Sequence, residues 1–131
     1  MRKNLRKTAV AAAVGVLASL AVASPALAVY SPEPVRLGDY TWIGLYTDHD
    51  EHYLGAVWLT NYGNGDYGLR VCDYYSDGYY VSARIDPGNG DVQTYNSLGV
   101  GESNCLERDI TYGVRKFRLA WKNFASAWAA P

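Results

Sequence analysis

The spacing of turn-forming clusters constrains this chain more than any other feature. Asn61-Tyr62-Gly63-Asn64-Gly65-Asp66, Ser76-Asp77-Gly78 and Asp86-Pro87-Gly88-Asn89-Gly90 break the sequence at short intervals. Asn, Gly and Asp reach the positive φ values that sharp reversals need, and the stretches between the clusters carry strand residues instead of a 3.6-residue apolar period. Tyr40 to Tyr46 and Tyr53 to Thr60 form two β-rich runs separated by the polar turn Thr47 to His52, a hairpin pattern. Leu69 to Tyr75 reads as a third strand and Tyr79 to Ile85 as a fourth. In the fourth, Tyr79, Val81, Ala83 and Ile85 alternate with Tyr80, Ser82 and Arg84. Val92 to Tyr95 and Leu106 to Ile110 are shorter runs, with a Gly-containing loop, Ser97 to Asn104, between them. Val114 to Trp121 closes the series, with Arg115, Phe117, Leu119 and Trp121 on one face and Lys116, Arg118 and Ala120 on the other. The tail Asn123 to Pro131 either makes a helical turn or lies along the sheet through Phe124 and Trp128. Six to seven short strands predict an all-β protein, a small antiparallel β-sandwich of Ig-like or barrel-like form.

The amino-terminal segment has a different character. Arg2, Lys3, Arg6 and Lys7 precede an apolar run from Ala9 to Ala23, and Pro25-Ala26-Leu27-Ala28 supplies a helix breaker and the small residues of an A-x-A cleavage site. The apolar run is about 15 residues, short of the ~20 needed to span a bilayer. The expectation is a cleaved signal helix over 1–28, an extended arm over 29–38 that Pro32 and Pro34 keep from being helical, and one sandwich domain over 39–131. Cleavage after Ala28 gives a secreted, extracellular product with no membrane association.

Cleavage also changes the charge. The whole chain has twelve Lys and Arg against thirteen Asp and Glu. The four bases of the leader leave with it and no acid does, so the product is acidic, and its last two dozen residues hold most of the remaining bases. Clustered cations for phosphate neutralisation are missing, which argues against a nucleic-acid partner. Cys72 and Cys105 are the only cysteines. They have neither Cys-x-x-Cys nor Cys/His spacing, and in an oxidising compartment they are expected to form one disulfide. In the loop-entropy model such a closure contributes ~3–4 kcal/mol to a domain this small.

Leu69-Arg70-Val71-Cys72-Asp73-Tyr74-Tyr75-Ser76-Asp77-Gly78-Tyr79-Tyr80-Val81 resembles a "VCD…DG" strand-turn-strand of small exported actinobacterial β-sandwich proteins, most of them without an assigned function. The Cys105 loop and the Trp-containing tail are similar in layout, but Phe117 to Trp128 lacks the second cysteine pair common there. The resemblance implies a secreted sandwich and carries over no catalytic residue.

Three groups are candidate sites. Asp48-His49-Asp50-Glu51-His52 holds both histidines; a hairpin turn there could aim Asp48, His49 and His52 at one ion, although no motif spacing completes a shell. Tyr74, Tyr75, Tyr79 and Tyr80 flank the turn at Asp77, and Tyr62 and Tyr67 flank another. Strand alternation would send two of the first four to each face, leaving rings free to recognise a partner or stack on a sugar, with Asp77 accepting hydroxyls. Lys116 and Arg118 form a basic stripe that either pairs across strands or meets an anionic partner. For catalysis, Asp73 and Asp77 are nominal glycosidase carboxylates, but nothing in the sequence predicts a raised pKa or a cleft, and no nucleophile motif or phosphate loop is present.

The sequence therefore points to a secreted, non-catalytic interaction protein without a cofactor, such as a subunit of an exported assembly. Its arm would add to an edge strand or groove of an extracellular protein. The alternatives are a cell-wall glycan-binding module that uses its tyrosines, a small hydrolase, or a protease inhibitor presenting the Ser97 to Asn104 loop.

Overall fold

A computed structural model describes residues 28–131, so the expected signal helix lies outside the described residues except for Ala28. Ten antiparallel strands form two sheets. The larger is built from β1 (Val29–Tyr30), β2 (Val35–Leu37), β3 (Tyr40–Thr47), β4 (Tyr53–Asn61), β5 (Tyr67–Asp73) and β8 (Leu106–Ile110). Its order is β1-β3-β4-β5-β8, and β2 also pairs with β3. The smaller contains β6 (Ser82–Asp86), β7 (Gln93–Asn96), β9 (Lys116–Trp121) and β10 (Phe124–Ala125), in the order β10-β9-β6-β7. Seven of these strands have four or more residues, and they correspond to the strands expected from the sequence.

The two sheets face each other across a single apolar core, as alternation along each strand requires. The larger sheet contributes Ile43, Leu45, Val57, Leu59, Leu69 and Val71, and the smaller contributes Ala83, Ile85, Phe117, Leu119 and Trp121, joined by Val81 just before β6. Phe117 and Leu119 are completely buried, so the inward face read from the last strand is correct except for Arg115, which precedes β9 and stays exposed.

Two expectations need correction. The segment 29–38 is not a free arm. Its two short strands, β1 and β2, both run along the outer edge of β3, with Tyr30 opposite Tyr46 and Val35 opposite Trp42. Pro32 and Pro34 cannot donate to a ladder, so the edge is paired in two pieces instead of one. The segment is part of the domain's own sheet, pairing with β3 along one edge, with β1 at the end of the strand order. The expected fourth strand, Tyr79 to Ile85, begins only at Ser82, so Ser76-Asp77-Gly78 does not turn the chain directly into it. β5 and β6 lie in different sheets, and residues 74–81 cross between them outside any strand. The tail takes the second of its two expected courses and lies along the sheet: β10 pairs with β9, and Ala129 bridges to Phe117.

Candidate functional site

The outer face of the larger sheet is paved with aromatic rings. Along β3, alternation buries Thr41, Ile43, Leu45 and Thr47 and turns Tyr40, Trp42, Gly44 and Tyr46 outward. Register carries this face across the sheet, since directly opposed residues share a side. Trp42 pairs with Trp58, Trp58 with Arg70, and Arg70 with Glu107. The next row is Gly44, Ala56 and Cys72. A register shift after Leu45 then sets Tyr46 opposite Tyr53.

The row of small residues is what makes room for the rings. A Cβ on Gly44 would fall 2.8 Å from the Trp42 ring and 2.9 Å from the Tyr46 ring, so both rings rest on the glycine. Although Gly44 and Ala56 point outward, they are covered. Tyr30 stacks on Tyr46 with centroids 5.9 Å apart, Tyr46 lies 5.4 Å from Tyr53, and Trp42 meets both Tyr46 and Tyr53 at 6.4 Å. Tyr74, just past β5, extends the series at 5.2 Å from Tyr53. These spacings are in the range where offset and tilted ring pairs attract.

A polar border runs along one side of the platform. Cys72 and Cys105 form the expected disulfide, and Glu102 lies on a single 3-10 turn, Glu102–Asn104, immediately before Cys105. The covalent link thus brings Glu102 to the rings. The Tyr74 hydroxyl donates to Glu102 Oε2 at 2.6 Å, and Arg70 pairs with Glu102 Oε1 while its guanidinium lies 5.5 Å from the centre of the Trp58 ring. The Tyr74 hydrogen bond, aided by the Arg70 charge and opposed by desolvation, holds the Glu102 carboxyl below its ordinary range. Burial, and then donation to Glu102, pushes the Tyr74 hydroxyl up. Burial takes Tyr53 up to about 12. Both phenols are therefore neutral donors at physiological pH. Beyond Arg70 the face continues into a groove of about 400 Å³ bordered by Thr60, Tyr62, Glu107 and Asp109. There the Tyr62 hydroxyl lies directly over Gly68, where a Cβ would come within 2.1 Å of it.

The four tyrosines singled out in the sequence go to three places. Tyr74 joins the platform, Tyr75 packs against the core, and Tyr79 and Tyr80 are each 54% exposed on another part of the surface. The expected two-and-two division fails because residues 74–81 cross between sheets, so strand alternation does not apply to them. Asp77 accepts the Tyr79 backbone N–H at 3.0 Å and lies 3.3 Å from Lys122 Nζ, a turn-capping position away from the platform. Asp73 is 1% exposed and accepts from the Tyr75 N–H at 3.0 Å. Its pKa is raised, chiefly by burial and further by the Asp77 charge, which the sequence did not predict. The carboxylate caps the start of the crossover.

Asp48, His49 and His52 do not converge. Among the described residues the one group of potential ligand atoms within 4.8 Å of one another is Cys72, Glu102 and Cys105, whose two sulfurs are bonded to each other. The Thr47 to His52 turn instead closes on itself, with Thr47 Oγ1 donating to Asp50 and the His52 N–H donating to Thr47 Oγ1 at 2.9 Å.

Trp42, Tyr46, Tyr53, Trp58, Arg70 and Glu102 were not singled out in the sequence. One signal was available: Tyr40-Thr41-Trp42-Ile43-Gly44-Leu45-Tyr46 puts aromatics and glycine at even positions and aliphatic or small polar residues at odd ones. That pattern marks an aromatic outer face. Set against family models, curated proteins and solved structures, the chain matches none of them.

Proposed function

We propose that this chain is a secreted, non-catalytic binding protein that takes a carbohydrate chain on the aromatic face of its larger sheet. The observation that carries the reading is the contiguous cluster of Trp42, Tyr46, Tyr53 and Tyr74, packed edge-on and tilted against one another beside Gly44 and bordered by Arg70 and Glu102. The C–H faces of a sugar ring stack on such rings at low entropic cost, because the rings are already held by one another. A neutral phenol, a carboxylate and a guanidinium at the border supply donors and acceptors for hydroxyl groups. The rings of Trp42, Tyr53 and Tyr74 follow one another at centroid spacings of 6.4 and 5.2 Å, so one ligand can touch several of them.

A protein partner is the second reading this face supports, because Val35, opposite Trp42, and Leu37, opposite Tyr40, set exposed apolar side chains beside the rings. Export of the protein is supported by the leader pattern of 1–28 and by the disulfide. The test is retention of purified protein on insoluble wall glycans. Wild type should be retained and Trp42→Ala and Tyr53→Ala released, while Tyr80→Ala, which alters an exposed ring away from the platform, should behave as wild type. A stoichiometric protein captured from culture fluid through the same rings, without glycan retention, would overturn the carbohydrate assignment.

A further inference from the structure

The outer face of the smaller sheet contains a repulsion with no internal answer. Arg84 of β6 and Arg118 of β9 are directly opposed in register, with Thr94 of β7 opposite Arg84 on its other side. Like charges so placed repel. Arg70, Arg115, Lys116 and Lys122 each reach a carboxylate. Arg84 and Arg118 have no such partner among the described residues. The nearest acid along β6, Asp86, is already engaged by Arg115 at 2.6 Å and Lys116 at 3.8 Å.

Arg118 is also held in a fixed pose. Its guanidinium lies 4.4 Å from the centre of the Trp128 ring, with Lys116 Nζ 4.6 Å from the same ring. Its Nε is covered and has no hydrogen-bond partner. Burial, and then the charge of Arg84, lower its pKa. With its Nε covered, Arg118 has its terminal Nη groups left to offer a ligand, beside a second guanidinium that is likewise without an acid.

We infer that Arg84 and Arg118 form a binding site for a tetrahedral oxyanion, a phosphate or sulfate group, with the Thr94 hydroxyl as a further donor. A tetrahedral group offers acceptor oxygens to both forks at once, and the doubled positive charge favours a ligand that carries up to two negative charges. This site lies on the face opposite the aromatic platform and does not depend on the carbohydrate reading.

The experiment follows the Arg Nε–H signals by NMR while inorganic phosphate is added to the folded protein at constant ionic strength, with chloride as control. The Arg118 Nε–H should shift saturably with phosphate and not with chloride. Arg84→Gln should weaken the apparent affinity about tenfold or more, and Arg118→Lys, which keeps the charge but removes the fork, should do the same. A parallel titration with polyphosphate separates the sources: much tighter binding at the same signals identifies a phosphate-bearing polymer as ligand, and equal affinity per phosphate identifies the free ion. Trp42→Ala should leave these titrations unchanged, so failure of the platform and failure of this site are read separately. Uniform, non-saturating shifts at all arginines, or a response that survives Arg84→Gln, would overturn the site.

Discussion

The two outer faces of this sandwich use aromatic rings in opposite ways. On the larger sheet the rings touch one another, and the nearby cation is answered, with Arg70 set between Glu102 and Glu107. On the smaller sheet a single ring, Trp128, lies against two cations, and the one carboxylate beside them, Asp86, is engaged at the end of the strand. The difference follows from what lies beneath. The row Gly44, Ala56 and Cys72 makes room on the larger sheet for rings that pack edge-on and tilted against one another. The smaller sheet also has a small row, Ser82, Ala120 and Ala125, but the rows beside it are charged, Arg84 opposite Arg118 and Asp86 opposite Lys116. Trp128 lies against those charged chains, and cation–π attraction offsets part of their mutual repulsion. One face is thus preorganised for an uncharged ligand and the other for an anion.

The largest expected effect breaks this comparison at the disulfide, which belongs to the larger sheet alone. Replacing Cys72 and Cys105 together by Ala should lower stability by ~3–4 kcal/mol in denaturant titrations. It should also free the 3-10 turn, so that Tyr74 loses its Glu102 partner and glycan retention falls. The smaller face should keep its phosphate response in whatever fraction remains folded. Loss of both responses in the folded fraction would show that the faces are one unit.

The next effect concerns the row of small residues on the larger sheet. Gly44 lies outside the positive-φ glycines, so its backbone accepts a side chain. Gly44→Val should nevertheless lift Trp42 and Tyr46, because even a Cβ comes within 3.0 Å of both. Glycan retention should fall as far as in Trp42→Ala, by about tenfold, which corresponds to about 1.4 kcal/mol. This variant removes no ring, so its failure to release the protein would show that ring placement is not what binds.

How legible these faces were in the sequence follows from the range of the interactions that build them. The long strands, the disulfide and the inward set Phe117, Leu119 and Trp121 could be read from local alternation and cysteine count. The basic stripe was legible for the same reason: Lys116 and Arg118 flank Phe117 within one strand. The platform was not, because it depends on the register of β3, β4 and β5, and the sequence does not state which residues face each other across strands. Tyr79 and Tyr80 misled because their alternation with Val81 to Ile85 continues past the point where β6 begins, at Ser82. The crossover between sheets, not the local pattern, decides their exposure. Pro32 and Pro34 marked an extended segment correctly but could not reveal that β3 has an edge for it to cover.

A weaker distinction between the faces should appear on acidification. Glu102 on the larger face is held below its ordinary pKa first by Tyr74, and Asp86 on the smaller face first by Arg115. A carboxyl whose folded pKa is depressed contributes stability above its unfolded value, and that contribution is lost as pH falls through the folded value. The melting temperature should therefore fall below about pH 4.5, the ordinary value for Glu. Glu102→Gln and Asp86→Asn should each flatten that decline. Asp73 has the opposite sign, since its raised pKa makes the fold less stable as pH rises above 3.8, its ordinary value. Asp73→Asn should accordingly steepen the acid decline. Salt separates the first two groups: added NaCl should weaken the contribution of Glu102, whose side chain is 68% exposed, more than that of Asp86, at 6%.

The smallest effect runs against the usual direction of a surface substitution. Arg84→Gln removes one of two opposed charges and leaves the cation–π contact of Arg118 with Trp128 in place. In the absence of phosphate or sulfate it should stabilise the protein, by about 0.2–1 kcal/mol, the range for cross-strand charge pairs. The gain should be largest at low ionic strength and vanish near 1 M salt, where the screening length falls to about 3 Å. The matching change on the larger face, Arg70→Gln, should destabilise, because there it removes the cation held between Glu102 and Glu107. Opposite signs for these two Arg→Gln substitutions at low salt would establish that one face is electrostatically complete and the other is not. Equal signs would mean that Arg84 finds a compensating partner on its own face, and the case for an anion there would lose its basis.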